Sequence, residues 1–276
     1  MKIKAVLMDM DGTLLGKSQV AVSVRNMRAV QKAIEKGVVV IPCTGRVYDM
    51  LPPQLLTQTG LRYFVTSHGA RAYDSELKTS LYEDLIPSDR VAEIMQILEG
   101  KGLYNEIAAN TTIYFEKAVT DNLDMSLVPE HHVWYVRDNC YTAVEKPSEF
   151  FLANGIGVEK MNIYGIPAHL QQPIYDALNA TGYIKHTRLG VGPNLEFSNY
   201  TLNKLRATDA ILNKLGISYD ETMAIGDSSS DIEILSTCGV GVAMGNAPDN
   251  IKAIANDVTA LNTEDGLALA FEKYVL

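Results

Sequence analysis

The sequence predicts an α/β fold, with a parallel-sheet core built from two separated segments and an α+β module inserted between them. Two observations carry this reading. Short apolar runs alternate with helically patterned stretches at both ends of the chain, and the middle of the chain has a different, aromatic and polar texture. Short buried strands separated by helices are what parallel βαβ units produce, because helices cover both faces of such a sheet.

In chain order, residues 5–8 read as a buried strand ending at Asp9, and Met27, Val30 and Ile34 recur at helical spacing until Gly37 stops the helix. Residues 38–41 form a second strand ending near Thr44, and residues 63–66 a third, followed by Gly69. The same grammar returns near the C-terminus. An amphipathic helix over 202–214 is closed by Gly216, and a strand over 223–225 runs into Gly226-Asp227. Further strands follow over 240–244 and 258–259, then a closing helix over 265–274. In the middle, Val91, Ile94, Met95 and Leu98 mark one helix, and Leu170, Ile174 and Leu178 another. Strand-like runs fall at Ile107, 113–115, 161–166 and 184–187, whereas 119–159 shows no assignable period. Trp134 and the tyrosines of this region read as packing groups. The simplest division is core over 1–83, module over 84–188 and core over 189–276.

Bulk properties narrow the function. With 276 residues and 47% apolar content, the chain can bury a substantial core. A formal charge of -9 argues against a nucleic-acid partner, while a local cluster of cations still permits a small anionic substrate. Three scattered cysteines, Cys43, Cys140 and Cys238, suit neither a disulfide framework nor a CxxC knuckle. The apolar run before Asp9 is too short for a signal-peptide core, and no stretch approaches the ~18 residues of a membrane span. The expectation is a cytoplasmic protein with no membrane partner, its oligomeric state (monomer or homodimer) left open.

Ligands of parallel sheets bind beyond the carboxyl ends of the strands. The loops there are Asp9-Met10-Asp11-Gly12-Thr13, Thr44-Gly45-Arg46, Ser67-His68-Gly69 and Gly226-Asp227-Ser228-Ser229-Ser230-Asp231. If Asp9, Asp11, Asp227 and Asp231 converge, their repulsion calls for a cation, and hard oxygen ligands in that number suit Mg²⁺. Taken singly, each Asp is equally a turn former or helix cap. An EF-hand is excluded, since its sixth position would be Leu14 and its twelfth Val20. No GxxxxGKS or GxxxxGKT run exists, so this is no P-loop. Thr44-Gly45 offers a hydroxyl and a close backbone N–H to phosphate, or is simply an ordinary turn. Lys204 opens a helix, where its charge opposes the macrodipole unless an anion lies beside it.

These motifs, Asp9-Met10-Asp11-Gly12-Thr13-Leu14-Leu15, Thr44-Gly45-Arg46, Lys204 and Gly226-Asp227-x-x-x-Asp231, together resemble the four motifs of the haloacid dehalogenase superfamily, in the order and spacing of its Cof-like sugar-phosphate phosphatases. Residues 242–247, Val258-Thr259, Asn262 and Asp265-Gly266 are similar to the same branch. The resemblance implies a Rossmann-like core and makes the inserted module a cap. It implies Asp9 as nucleophile and Asp11 as general acid, then base. It implies Mg²⁺ on Asp9, the Asp11 backbone carbonyl and Asp227. Phosphate contacts are implied from Thr44, Gly45, Lys204, the backbone around Met10 and the motif-four position held by Ser230, with Asp231 orienting a metal-bound water or Lys204. Two positions depart from the pattern: Ser230 stands where Asn is usual, losing an amide donor, and His68-Gly69-Ala70 stands where Asn-Gly-Ala is usual. The expected function is Mg²⁺-dependent hydrolysis of small phosphorylated metabolites, sugar phosphates above all, through an aspartyl-phosphate. A sugar phosphomutase could use the same Asp pair, and a phosphate-ester binding protein without turnover would not need both.

Overall fold

The computed structural model describes residues 2–16, 20–188 and 194–276. The strands in it, in chain order, are β1 (Ala5–Met8), β2 (Val39–Pro42), β3 (Tyr63–Thr66), β4 (Arg71–Asp74), β5 (Thr79–Glu83), β6 (Tyr104–Ala109) and β7 (Thr112–Glu116). They continue with β8 (Thr142–Val144), β9 (Lys160–Tyr164), β10 (Ile184–Arg188), β11 (Leu195–Asn199), β12 (Thr222–Gly226), β13 (Val240–Ala243) and β14 (Asp257–Val258). The chain divides into two compact units. One comprises the chain up to Arg46, Leu51–Glu83 and Asn203–Leu276, and the other Val47–Met50 and Asp84–Leu202.

The first unit holds a parallel sheet in the order β14-β13-β12-β1-β2. The central strand β1 is apolar throughout and wholly buried, as a strand covered on both faces must be. It pairs with β12 from Ala5↔Thr222 and with β2 from Ala5↔Val39. The run ends at Asp9 because the next residues turn: the Met10 carbonyl accepts from the N–H of Thr13 at 3.2 Å and of Leu15 at 2.9 Å. Beyond β2, β3 continues alongside through a Cys43↔Val65 parallel bridge and then pairs antiparallel with β4, which pairs with β5. Leu7, Ile41, Val65, Ala207, Ile211, Ala224 and Ile234 pack together as the core of this unit. The helix Lys204–Leu215 starts two residues later than the pattern suggested, because Asn203 caps it, its side chain accepting from the N–H of Leu205 at 2.8 Å.

The second unit carries a six-stranded sheet, β10-β11-β9-β6-β7-β8, antiparallel except for the β7–β8 pair. Alternate residues of its strands, Ile107, Met161, Ile163, Leu195 and Phe197, join a core with Val91, Ile94, Phe151, Ile174 and Leu178 from the helices Ser88–Leu98, Pro147–Asn154 and Ala168–Ala180. The intervening positions face the other side of the sheet, where Tyr104, Ala108, Ile113, Phe115 and Tyr164 join a second core with Tyr135 and Val136, beside polar residues such as Glu106 and Asn162. Among them Glu106 is buried and accepts from the Tyr104 hydroxyl at 2.9 Å, His132 Nδ1 at 2.8 Å and Asn162 Nδ2 at 3.2 Å. Tyr104 and Tyr135 are fully buried.

The expected boundary at 188/189 falls where residues 189–193 lie outside the described set. Beyond them β11 pairs with β10 and β9. The second unit therefore runs to Leu202, further than sequence patterning placed it. Its two ends are tied together: Asp84 Oδ1 accepts from Asn199 Nδ2 and from Thr201 Oγ1, each at 2.7 Å.

Candidate active site

The carboxyl ends of β1, β2 and β12 lie side by side, so the loops after them meet. Asp9 follows β1, Thr44 follows β2 and Asp227 follows β12. Asp9, Asp227 and Asp231 each offer a carboxylate oxygen, and these oxygens lie within 4.8 Å of one another. Asp231 is completely buried and its oxygens are already engaged. Oδ1 accepts from Lys204 Nζ at 2.9 Å, and Oδ2 accepts from the N–H of Asp227 at 3.2 Å and of Ser228 at 3.1 Å. Lys204 is also buried, and its Nζ donates to the Cys43 carbonyl at 3.4 Å, beside Thr44. Burial by itself would lower the Lys204 pKa, but the charges of Asp231 and Asp9 outweigh it and hold the ammonium well above its ordinary value.

That pairing leaves the other two carboxyls only partly compensated. Burial, and then Asp231, push Asp9 far above the usual aspartate range, only partly offset by Lys204. Burial raises Asp227 to about 6, with Asp231 and Asp11 adding to the rise and a hydrogen bond from Thr13 opposing it. Two carboxyls made reluctant to ionise, on neighbouring loops, fit a divalent cation, which would relieve both the burial penalty and the mutual repulsion.

Gly12 makes this approach feasible. Its φ is +85°, and a Cβ there would stand 2.3 Å from Asp227 Oδ2. Thr13 Oγ1 donates to Asp227 Oδ1 at 3.1 Å. Asn246 Nδ2 bridges the Gly12 carbonyl at 2.9 Å and Asp227 Oδ2 at 3.2 Å, while Asn246 Oδ1 accepts from the N–H of Asn262 at 3.0 Å. Thr44 is buried, and its Oγ1 accepts from the Arg46 N–H at 3.1 Å, which leaves the hydroxyl proton to be donated elsewhere. The His68 ring lies against Gly45, where a Cβ would be 2.4 Å from its Nε2, so the departure at His68 falls beside this loop.

The remaining expected residues are placed differently. The Asp11 side chain is not part of the carboxylate trio but forms an ion pair with Arg46. Ser230 is exposed, its hydroxyl 2.8 Å from that of Ser228. Thr13, Arg46 and Asn246 were quoted in motifs without a role. Only the spatial pairing of loops distant in sequence reveals their contacts with the acidic residues.

The sequence profile of the haloacid dehalogenase-like hydrolases matches residues 6–271. The chain belongs to that family. Within the haloacid dehalogenase-like hydrolases it sits with the Cof-like phosphatases, and it is a phosphoric monoester hydrolase. Among curated relatives, the 5-amino-6-(5-phospho-D-ribitylamino)uracil phosphatase YcsE of Bacillus subtilis is 29% identical over 275 residues, covering 99% of this chain and 96% of its own. Phosphatase YwpJ of the same organism is 28% identical, covering 96% of this chain and 98% of its own. The crystal structure of a haloacid dehalogenase-like hydrolase from Bacteroides thetaiotaomicron matches with a TM-score of 0.81 at 27% identity, covering 99% of each chain. Among the described residues, no helix is long and apolar enough to cross a membrane.

Proposed function

We propose that this enzyme is a Mg²⁺-dependent phosphatase of sugar phosphates and related polyol phosphates that works in the cytoplasm through an aspartyl-phosphate on Asp9. The observation that carries the reading is the clustering of Asp9, Asp227 and Asp231 at the ends of adjacent strands, where the buried Lys204, hydrogen-bonded to Asp231, offsets Asp9 only in part. Asp9, Asp227 and the Asp11 backbone carbonyl are the proposed metal ligands. When bound, the ion supplies positive charge and Lewis acidity at the phosphoryl group. Asp231 takes the supporting role, since its oxygens already hold Lys204 and the loop N–H groups.

The chain's own residues then divide the work. A carboxylate oxygen of Asp9 attacks phosphorus, and the bond to the leaving oxygen breaks as Asp11 gives that oxygen a proton. Asp11 next takes a proton from water, whose oxygen bonds to phosphorus. The bond to Asp9 breaks, and inorganic phosphate leaves. Throughout, Lys204 balances equatorial charge, and the Thr44 hydroxyl and Gly45 N–H donate to phosphoryl oxygens. Ser230 is the proposed motif-four contact, with its hydroxyl standing in for an amide. The named substrate of YcsE, a phosphorylated ribityl compound, belongs to the class proposed here and leads the list of esters to test.

The test is phosphate release from a panel of phosphorylated sugars, ribityl compounds, nucleotides and cofactors. Activity should require Mg²⁺, vanish in excess chelator and fall when Ca²⁺, with its looser coordination, replaces Mg²⁺. Asp9→Asn should abolish turnover. Full activity in chelator, or near-normal turnover by Asp9→Asn, would overturn the metal or the nucleophile respectively.

A further inference from the structure

Arg46 is a buried cation, 5% exposed, whereas the side chain of its partner Asp11 is 39% exposed. The two meet as a fork: Nε donates to Oδ2 at 3.0 Å and Nη2 to Oδ1 at 2.5 Å. The arginine is also anchored through its backbone. Its N–H donates to Thr44 Oγ1 at 3.1 Å, and its carbonyl accepts from the Ser67 N–H at 2.9 Å. An ion pair between two mobile surface chains would contribute little. Here one partner is immobilised in the protein, and a planar two-bond contact fixes the plane of the other. A carboxylate has about four lone-pair sites. The fork occupies one on each oxygen and leaves one on each.

We propose that Arg46 is a positioning residue for Asp11, holding its carboxylate for the step that activates water. The proposal rests on the acid/base role given to Asp11 above. In that step Asp11 accepts the water proton on a lone pair the fork leaves open. The water oxygen forms its bond to phosphorus while the phosphorus–oxygen bond to Asp9 breaks, its electron pair returning to the Asp9 carboxylate. Without the fork, Asp11 can rotate away from this line, and a misplacement of about 1 Å can cost about 10²-fold in rate. Formation of the aspartyl-phosphate from an activated aryl phosphate is insensitive to the fork, because an aryl oxide departs without a proton.

The two half-reactions can be separated by rapid quench of the full chain with Mg²⁺ and an aryl phosphate, following aryl oxide and inorganic phosphate independently. In Arg46→Ala, the first-turnover burst of aryl oxide should persist, steady-state phosphate release should fall about 10²-fold, and phosphate should accumulate on Asp9. Arg46→Lys should fall between Arg46→Ala and the wild type, because an ammonium keeps the charge but not the fork. Millimolar guanidinium should restore part of the rate to Arg46→Ala. Equal loss of burst and steady state with no rescue would assign Arg46 to the fold alone, and unchanged phosphate release would make it a bystander; either overturns the proposal. A wild-type enzyme that releases phosphate but never carries it on Asp9 would instead bring down the aspartyl-phosphate reading on which the proposal stands.

Discussion

Lys204 is where charge and burial conflict most directly. Read in sequence, a lysine opening an amphipathic helix is solvated surface, and its removal should leave the fold intact. In the structure it is buried against Asp231, which is itself fully buried. Lys204→Ala therefore leaves an unpaired carboxylate in the core, and breaking such a pair costs about 3–5 kcal/mol. Losing a charge-assisted donor from a catalytic site costs about 10²–10³ in rate. Both losses are expected together, read by phosphate release and by thermal unfolding. A normal rate with a lowered melting temperature would confine Lys204 to a structural role. Asp9, Thr44, Lys204 and Asp227 were visible as candidates in the sequence because each directly follows a strand or opens a helix. The Arg46 fork and the Asn246 bridge were not visible, because their partners lie on other loops and no periodicity records the approach.

At the level of turns and strands, the loop after β1 depends on Gly12. Alanine there would have to hold a positive φ, at roughly 1–2 kcal/mol, and would displace Asp227 from its contacts with Thr13 and Asn246. Gly12→Ala should stay folded, need more Mg²⁺ for half-maximal rate and turn over at least about 10²-fold more slowly. A Mg²⁺ titration of phosphate release checks it, and an unchanged Mg²⁺ requirement would separate Gly12 from the metal loop. In the second unit, burial pushes the Glu106 carboxyl up, but the charge of His132 and the bonds from His132, Asn162 and Tyr104 outweigh it, so its pKa is lowered. A lowered carboxyl contributes stability above its unfolded value of about 4.3, and that stability is lost as pH falls through the folded value. Calorimetry of the full chain should show the melting temperature dropping below about pH 4, and dropping less steeply in Glu106→Gln. Equal slopes would rule Glu106 out as a source of acid sensitivity.

Strands with both faces covered, such as β1 and β12, were legible as apolar runs. Those that were missed have one polar face or few residues. β11 shows only Leu195 and Phe197 to its core, and the β4–β5 hairpin reads as mixed polar sequence. Residues 119–159 contain the helices Val133–Arg137 and Pro147–Asn154 and the strand β8, each too short to establish a period.

On the scale of the whole molecule, the long segment of the second unit, Asp84–Leu202, has its two ends held together at Asp84, Asn199 and Thr201. Hydrogen bonds to a charged group contribute about 1.5–3 kcal/mol each. Asp84→Ala should therefore lower stability by an amount of that order and raise amide exchange over residues 199–202. Unaltered protection there would show that the tie is redundant. The division into two units was legible from texture alone, since the parallel-sheet grammar stops and resumes. Its later edge was not, because β11 follows a stretch with no pattern of its own.

The central strand has a consequence for how the protein is made. Ala5 pairs with Thr222, and Asp9 receives its backbone bond from the strand that ends at Gly226, its N–H donating to the Ile225 carbonyl. On the ribosome, β1 can pair early with β2, but its other neighbour, β12, is made only after the long segment Asp84–Leu202 of the second unit, which can fold from its own contacts in the interval. Asp9 is thus made well before the strand that completes its surroundings. A nascent chain stopped anywhere before β12 has an open sheet edge and no catalytic centre, which makes it a client for chaperones rather than a partial enzyme.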